Sequence, residues 1–197
     1  LDFEVMLGYT YELLTQRRVI LSAWQGKYKY ILIDEFQDIN KAQYDTITLL
    51  ASPENNLFIV GDDDQSIYGF RGSKPDIMLN FGKDYGNAAQ VTLDVNYRST
   101  PEIVKAAGDV IRFNNKRYKK NITPDRKSGG AVVVRRTKDF IDEYNEVCER
   151  IKAVTDGDRK RYGDIAVLYR TPAGIGSLVR KLMENGIPFQ IRDKLPD

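Results

Sequence analysis

Two short apolar runs that each end abruptly in acidic residues constrain the fold of this chain more than any other feature. The first run is residues 30–33 (YILI), followed by Asp34 and Glu35, and the second is residues 57–60 (LFIV), followed by Gly61 and three aspartates. Neither run alternates with polar residues, which is typical of strands covered on both faces of a parallel sheet. Ligands bind such sheets at the carboxyl ends of the strands, so we predict a polar site where the two runs end.

The remaining patterns predict an α/β chain in two parts. Helical spacing of apolar residues predicts one or two helices over residues 1–23, interrupted near Gly8, and further helices over residues 41–51, 75–81, 99–114, 141–154 and 173–185. Strands are predicted at residues 91–95, 131–135, 165–169 and 187–191. Strand and helix alternate in the second half, which indicates a parallel βαβ sheet with right-handed crossovers. We place the domain boundary in the loop at residues 82–89, between domains at residues 1–90 and 91–197.

Composition excludes several classes of protein. The chain has 42% hydrophobic residues, enough for a packed core, with one cysteine, Cys148, and no histidine. An internal disulfide framework is therefore excluded, and a zinc or histidine-based catalytic site is disfavoured. Since no apolar run approaches the roughly 20 residues that span a bilayer and no secretory signal is present, we expect a cytoplasmic protein without membrane contact. The sequence opens on Leu1 inside an amphipathic pattern, so we also expect it to be part of a longer chain.

Charge is distributed unevenly along the chain. Residues 1–90 hold 8 Lys and Arg against 13 Asp and Glu, whereas residues 91–197 hold 22 against 15. The basic second half favours a polyanionic partner such as nucleic acid. It contains a basic, loop-like segment at residues 115–130, and we expect an exposed basic surface at residues 112–127. Lysines and arginines on solvated helix faces would explain the same counts.

Asp34 and Glu35 form the first candidate site. A hard cation such as Mg²⁺ prefers one or two carboxylates together with the oxygens of a bound phosphate, so a phosphate-bound metal is the first hypothesis. In the alternative, Asp34 only caps the helix that begins near Asn40, and Glu35 is solvated. A metal-dependent nuclease is a further alternative, because clustered acids can hold two metals; it would use Asp34, Glu35, Asp38 and residues 62–64.

The loop at residues 61–73 (GDDDQSIYGFRGS) is the second candidate site. An amide such as Gln65 can bind a phosphate oxygen or an attacking water. Tyr68 and Phe70 are candidates for stacking on unpaired bases, worth about 1–3 kcal/mol per base, and Arg71 can bind the nucleic-acid backbone. In the alternative, both aromatic residues belong to the core.

The third candidate site is the stretch at residues 93–100 (LDVNYRST), where Tyr97 and Arg98 directly precede a predicted helix. A helix start offers free N–H groups, and arginine offers a rigid charged fork, so the arrangement suits an anion such as phosphate. Tyr97 can stack on a purine. On its own, such a pair is also an ordinary surface feature.

Taken together and in this order, IDEFQD, GDDDQSIYGFRGS and LDVNYRST resemble motifs II, III and IV of the UvrD/Rep/PcrA-type DNA helicases of superfamily one. The resemblance extends from Leu1 to about Arg192. It implies parts of two RecA-like parallel-sheet motor domains in an enzyme that couples ATP hydrolysis to DNA translocation and unwinding, in repair, replication or recombination. It also implies ATP and Mg²⁺ as cofactors, and single-stranded DNA, DNA junctions and the remainder of the helicase chain as partners.

The resemblance assigns roles at the nucleotide. Asp34 and Glu35 would hold Mg²⁺, and Glu35 would polarise the attacking water. Gln65 would couple the γ-phosphate to DNA. Tyr97 would stack on adenine, and Arg98 would reach the γ-phosphate as an arginine finger from the second domain.

On the DNA side, the resemblance assigns Tyr68, Phe70 and Arg71 to a track along single-stranded DNA. The chain departs from the family pattern because no G-x-x-x-x-G-K-[ST] phosphate loop occurs in it, and motifs V and VI are absent as well. We therefore expect no ATP hydrolysis by this chain alone. A non-catalytic DNA-binding module that has lost its phosphate loop remains an alternative.

Overall fold

The computed structural model describes residues 2–155, 162–171 and 174–191, and the side chain of Arg71 lies outside this description. The chain forms two compact units, Leu1–Val132 and Val133–Asp197. In the described part of the chain, every helix is too short or too polar to cross a bilayer.

Two helices open the first unit. Helix α1 spans Phe3–Gln16, where the Asp2 side chain accepts a hydrogen bond from the Val5 N–H at 2.9 Å, and α2 spans Arg18–Lys27. The predicted interruption near Gly8 is wrong, because a helical glycine costs only about 1 kcal/mol relative to alanine and need not break the helix. The break comes instead at Arg17, whose backbone is not helical (φ −115°, ψ 81°).

The two apolar runs form neighbouring parallel strands, as predicted. Strand β1 (Ile31–Ile33) pairs with β2 (Leu57–Ile59), and helix α3 (Lys41–Ala51) connects them. A parallel pair requires such a crossover because both strands run in the same direction. The acidic loops that follow the two strands therefore begin at the same edge of the sheet.

Only one face of this strand pair is covered by the described residues. Ile33 and Ile59 pack on a buried cluster that includes Phe36 from the following turn and Ile77 from α4 (Pro75–Asp84). Side chains alternate between the faces of a strand, so the intervening residues point the other way. These are the cross-strand partners Leu32 and Phe58, which are 70% and 61% exposed, and the expected cover on both faces is confirmed for one face only.

A second, shorter parallel pair follows in the same unit. Strand β3 (Val95–Asn96) pairs with β4 (Thr123–Pro124), and helix α5 (Pro101–Ile111) lies between them in sequence. The strand predicted at residues 91–95 is thus reduced to its last residue. Pro101 occupies the first turn of α5, where its missing N–H costs nothing.

Two helices form the core of the second unit. Helix α6 spans Phe140–Thr155 and α7 spans Ile175–Glu184, and Gly186 follows α7 with φ 65°, the left-handed conformation that suits glycine at a helix end. Their apolar faces meet in one buried cluster, formed by Cys148, Ile151, Leu178, Leu182 and Ile187.

In the described part of the second half, parallel pairing is confirmed for β3 and β4, but the strands predicted at three later runs are wrong. Residues 131–135, 165–169 and 187–191 are described, and none of them forms a strand. An apolar run becomes a parallel strand only when a neighbouring strand pairs with it and both faces are covered. These runs lack such cover, since Val134 and Leu168 are each 92% exposed.

Candidate functional site

Asp34 and Glu35 follow β1 directly, and both are exposed. The Asp34 carboxylate accepts the Glu35 N–H at 2.9 Å. Glu35 has φ 50° and ψ 41°, a left-handed conformation that few residues other than glycine adopt. Such conformations persist where the surrounding structure enforces them, often at functional sites. The backbone of Glu35 is therefore constrained, unlike that of an ordinary surface acid.

The hypothesis that Asp34 caps α3 is wrong. Asn40 caps that helix: its side chain accepts the Gln43 N–H, and the Gln43 side chain accepts the Asn40 N–H, each at 2.9 Å. This reciprocal capping box satisfies the helix start without Asp34. The Asp34 carboxylate is therefore left at the end of β1 with no capping role.

The acids fit a phosphate-bound cation better than a metal cage made of protein alone. Within the described ranges, no group of three or more His, Cys, Asp or Glu residues is arranged to hold a metal ion. Mg²⁺ that is bound with a nucleotide needs only one or two carboxylates, because phosphate and water oxygens complete its coordination. Asp34, exposed and carboxylic, fits that requirement.

The three aspartates of the second loop are paired with basic residues. The Lys120 ammonium lies 2.5 Å from Asp62, 2.5 Å from Asp63 and 3.2 Å from Asp64. The Arg117 guanidinium binds Asp64 with two hydrogen bonds of 2.7 and 2.6 Å. The exposed basic surface expected at residues 112–127 is thus partly wrong, and these aspartates are not free to hold the metals of a nuclease.

We call the group formed by Asp62–Asp64, Arg117 and Lys120 the acidic-loop cluster. Burial works to raise the pKa of Asp62, but hydrogen bonds from Lys120 and from the Gln65 amide outweigh it and lower the pKa below its ordinary value. The pKa of Lys120 is raised, because its aspartate partners outweigh the opposing effect of burial. Both shifts favour the charged forms, so the cluster stabilises the fold at neutral pH.

Replacing Lys120 with methionine is expected to destabilise the first unit by about 3 kcal/mol, the cost of removing one partner from a buried ion pair. Asp63, whose side chain is 1% exposed, would lose its closest cation. Urea denaturation of the chain, followed by the fluorescence of Trp24, the only tryptophan, measures the effect. The lowered pKa of Asp62 gives the wild type stability that is lost at acid pH. The difference in free energy of unfolding between Lys120→Met and wild type should therefore become smaller at acid pH. Lys119→Met, at an exposed position, is the control, and equal midpoints for both variants would refute the assignment.

Gln37 connects the two loops, a role that was not predicted from the sequence. Its side chain donates to the Glu35 carboxylate at 2.6 Å and accepts the Asp62 N–H at 3.0 Å. Gln37 is only 1% exposed. A polar amide among the acids of DEFQD was the only available signal, and neither periodicity nor charge distinguishes it from a surface residue.

The aromatic residues of the second loop lie on the surface, so the alternative that they belong to the core is wrong. Phe70 is 79% exposed and Tyr68 is 38% exposed. Their ring centroids lie 6.0 Å apart with a tilt of 48°. Arg71 ends the turn Gly69–Arg71 that follows Tyr68, and its side chain is outside the described part of the structure.

Tyr97 and Arg98 follow β3 and precede α5, as predicted. The Asn96 side chain accepts the N–H groups of Arg98 at 3.0 Å and Ser99 at 2.8 Å, which fixes the turn. Tyr97 is 68% exposed, and Arg98 is exposed as well. Among the described residues, no acid pairs with the Arg98 guanidinium, so its charge is open to a ligand.

The structure brings the first two candidate sites together but not the third. The hydrogen bonds of Gln37 join Glu35 to the second loop, and Gln65 within that loop donates to Asp62 at 2.9 Å. In the described ranges, no hydrogen bond or ion pair links Arg98 to Asp34 or Glu35. The role of Arg98 at a shared nucleotide site therefore stays a prediction.

Comparison with known proteins identifies two family domains in the chain. Residues 1–86 match the UvrD/REP helicase N-terminal domain, and residues 91–195 match the UvrD-like helicase C-terminal domain. This division lies near residue 90, whereas the compact units divide after Val132. The predicted domains at residues 1–90 and 91–197 stay a prediction.

Several curated proteins are similar over nearly the whole chain. A putative ATP-dependent DNA helicase, YjcD of Bacillus subtilis, is 43% identical over 95% of this chain and 25% of its own length. A probable DNA helicase II homolog of Mycoplasma capricolum is 40% identical over 97% and 26%. The ATP-dependent DNA helicase PcrA of Staphylococcus aureus is 40% identical over 96% and 26%. The chain spans about a quarter of the length of these relatives.

The predicted α/β class is confirmed by the mixed architecture of helices and parallel strands, and the RecA-like assignment by the two family domains. The family suggested by the three motifs is confirmed in the same way. Because the two models together match nearly all of the sequence, this chain belongs to the UvrD/Rep family of DNA helicases.

Proposed function

We propose that this chain is part of an ATP-dependent translocase or helicase on single-stranded DNA. The observation that carries the proposal is the pair of loops at the carboxyl ends of β1 and β2, which Gln37 joins by hydrogen bonds to Glu35 and Asp62. One loop has exposed acids suited to a metal-bound phosphate, and the other has exposed aromatics suited to unpaired bases. Relatives named ATP-dependent DNA helicases support the same activity.

At the nucleotide, Asp34 is the ligand for Mg²⁺, which neutralises phosphate charge when bound. Glu35 polarises the attacking water: its carboxylate is exposed, and the hydrogen bond from Gln37 holds one of its oxygens. Gln65 is exposed and donates to Asp62, a bond that a phosphate oxygen can replace. Through that exchange Gln65 responds to the terminal phosphate.

From the third site, Tyr97 stacks on the adenine and Arg98 binds the γ-phosphate. Directly before the N-terminus of α5 lie an exposed tyrosine and a guanidinium that pairs with no acid in the part of the chain that the structure describes, which suits a base and an anion. An arginine that reaches the phosphate only when two domains close makes hydrolysis depend on domain motion.

Single-stranded DNA lies along the second loop, where Tyr68 and Phe70 stack on bases. Exposed aromatic rings bind any base through its π-face, which suits a translocase that moves along DNA without regard to sequence. Arg71 adds a contact to the backbone. We also propose DNA junctions and the rest of the helicase chain as partners. The proposed role is in DNA repair, replication or recombination, and the proposed location is the cytoplasm.

The chain by itself is expected to show no DNA-stimulated ATPase activity. It contains Asp34 and Glu35 but no G-x-x-x-x-G-K-[ST] loop to cradle the phosphates. The measurement is phosphate release with oligo(dT), for the purified chain and for the full-length helicase that contains it. We expect ATP turnover by the full-length protein but not by the isolated chain. The full-length protein should also unwind a tailed duplex. Turnover by the isolated chain that Glu35→Gln abolishes would contradict the first expectation, and a full-length protein without ATPase or unwinding activity would refute the function.

A nuclease is not favoured, because the acidic-loop cluster commits its three aspartates to Lys120 and Arg117. The same full-length preparation, incubated with labelled DNA and Mg²⁺ but without ATP, should leave the DNA intact.

A further inference from the structure

Gln37 is a buried amide whose two ends contact different loops. Its nitrogen donates to the Glu35 carboxylate at 2.6 Å, and its oxygen accepts the Asp62 N–H at 3.0 Å. An amide is suited to this task because it offers a donor and an acceptor on one rigid plane. One side chain therefore connects the Asp62 backbone to the Glu35 carboxylate, so a movement of Asp62 can displace that carboxylate.

The main chain of Gln37 holds the same loop at two further points. Its carbonyl oxygen accepts the Ser73 hydroxyl at 2.8 Å and the Ser66 hydroxyl at 3.3 Å. Tyr68 and Phe70, the exposed aromatics, lie between these two serines in the sequence. Gln37 thus binds the loop at its start, in its middle and at its end, and the aromatic segment lies between the last two contacts.

Gly61 allows the second loop to approach Gln37 closely. A Cβ atom at position 61 would lie 2.6 Å from the Gln37 side-chain oxygen and 3.2 Å from its backbone nitrogen. The 2.6 Å contact is shorter than real Cβ atoms make, so a side chain at position 61 would displace the Gln37 amide. The close approach and the hydrogen bond from the Asp62 N–H together place the loop backbone directly against the amide.

We propose that Gln37 is a positioning residue that transmits occupancy of the second loop by single-stranded DNA to the water-polarising carboxylate of Glu35. This inference rests on the proposed function. DNA that stacks on Tyr68 and Phe70 shifts the loop, and the shift reaches Glu35 through the hydrogen bonds from Asp62 and to Glu35. Gln37 itself touches neither the nucleotide nor the DNA.

The test uses the full-length helicase and oligo(dT). Gln37→Met keeps the length and volume of the side chain but removes both hydrogen bonds. We expect the DNA-stimulated kcat to fall on the order of 10²-fold, because bound DNA can no longer bring Glu35 over the last distance of about 1 Å into its reactive position. The KM for ATP and the affinity for oligo(dT) should stay unchanged, and the ratio of DNA-stimulated to DNA-free turnover should fall toward one. A structural defect alone would not lower that ratio selectively.

Two further variants keep the test decisive if Gln37→Met folds poorly. Gln37→Glu keeps the shape and the acceptor for Asp62 but replaces the donor toward Glu35 with a second carboxylate, and Gly61→Ala displaces the intact amide. Both should lower the same ratio. Gln25→Met is the matched control, because it removes a partly buried amide that donates to the Leu49 carbonyl in the same unit, and it should behave as wild type.

Three outcomes are distinguishable. A wild-type ratio for folded Gln37→Met, Gln37→Glu or Gly61→Ala, in a helicase that Glu35→Gln inactivates, would overturn the coupling role alone. A full-length protein without DNA-stimulated ATPase activity would overturn both the coupling role and the proposed function. A selective fall in the ratio for the site variants, with Gln25→Met unchanged, supports the coupling role.

Discussion

Replacing Glu35 with glutamine in the full-length helicase should abolish ATP hydrolysis while leaving nucleotide binding intact. A carboxylate that polarises an attacking water contributes about 10²–10⁴-fold to the rate, and a neutral amide cannot accept the proton. In the proposed site, nucleotide binding depends on other groups, Asp34 among them, so binding and hydrolysis should separate. Phosphate release and the affinity for a fluorescent ATP analogue, measured on the same preparation, check the prediction.

The structure makes this substitution informative because it disturbs little else. The side-chain oxygen of a glutamine at position 35 can still accept the hydrogen bond that Gln37 donates to Glu35. Glu54→Gln removes the same charge from an exposed position beyond α3 and serves as the control. Unwinding at the normal rate by Glu35→Gln would show that another group activates the water.

The elements around the first two loops were predictable because their signals are local. The apolar runs before Asp34 and Asp62, with a helical pattern between them, allow only a short list of arrangements, and a parallel pair with a helical crossover is the common one. The bounds of α3 agree with the prediction because Asn40 and Gln43 form a capping box that is visible in the sequence.

The partners of the acidic loop were not predictable, because they lie far along the chain. Lys120 is 58 residues from Asp62, and Arg117 is 53 residues from Asp64. From the sequence alone, three consecutive aspartates look like metal ligands and a basic segment looks like a surface for DNA. Oppositely charged side chains form ion pairs in the folded chain, and only the tertiary structure shows which pairs form.

The sequence-based prediction missed Gln37 and wrongly placed strands in the second half, and the reasons for these two errors are opposite. The importance of Gln37 comes from burial between two loops, and a polar residue in a polar stretch gives no sign of that burial. The runs at residues 131–135 and 165–169 have clear strand signals, but a strand also needs a paired neighbour, which a local pattern cannot supply. Local sequence thus reveals propensity, whereas burial and pairing depend on the rest of the fold.

Replacing Arg98 with alanine should lower the maximal ATPase rate of the full-length helicase on the order of 10³-fold or more, as expected for an arginine finger. Arg98 lies in the part that matches the C-terminal family domain, while Asp34 and Glu35 lie in the N-terminal one. Its backbone is fixed by Asn96, and among the described residues no acid neutralises its side chain. An exposed guanidinium beside the start of α5, with no acidic partner in the described ranges, suits phosphate better than a structural role.

The salt dependence of DNA binding separates this role from a DNA contact. If Arg98 bound DNA phosphate, its loss would flatten the slope of log K against log salt by about one unit. If Arg98 acts on the nucleotide, as we propose, the slope should stay unchanged. Arg112→Ala is the matched control, because Arg112 is an exposed arginine that directly follows α5 and pairs only weakly with Asp109 at 3.6 Å. A normal ATPase rate combined with a flattened slope for Arg98→Ala would assign this arginine to DNA instead.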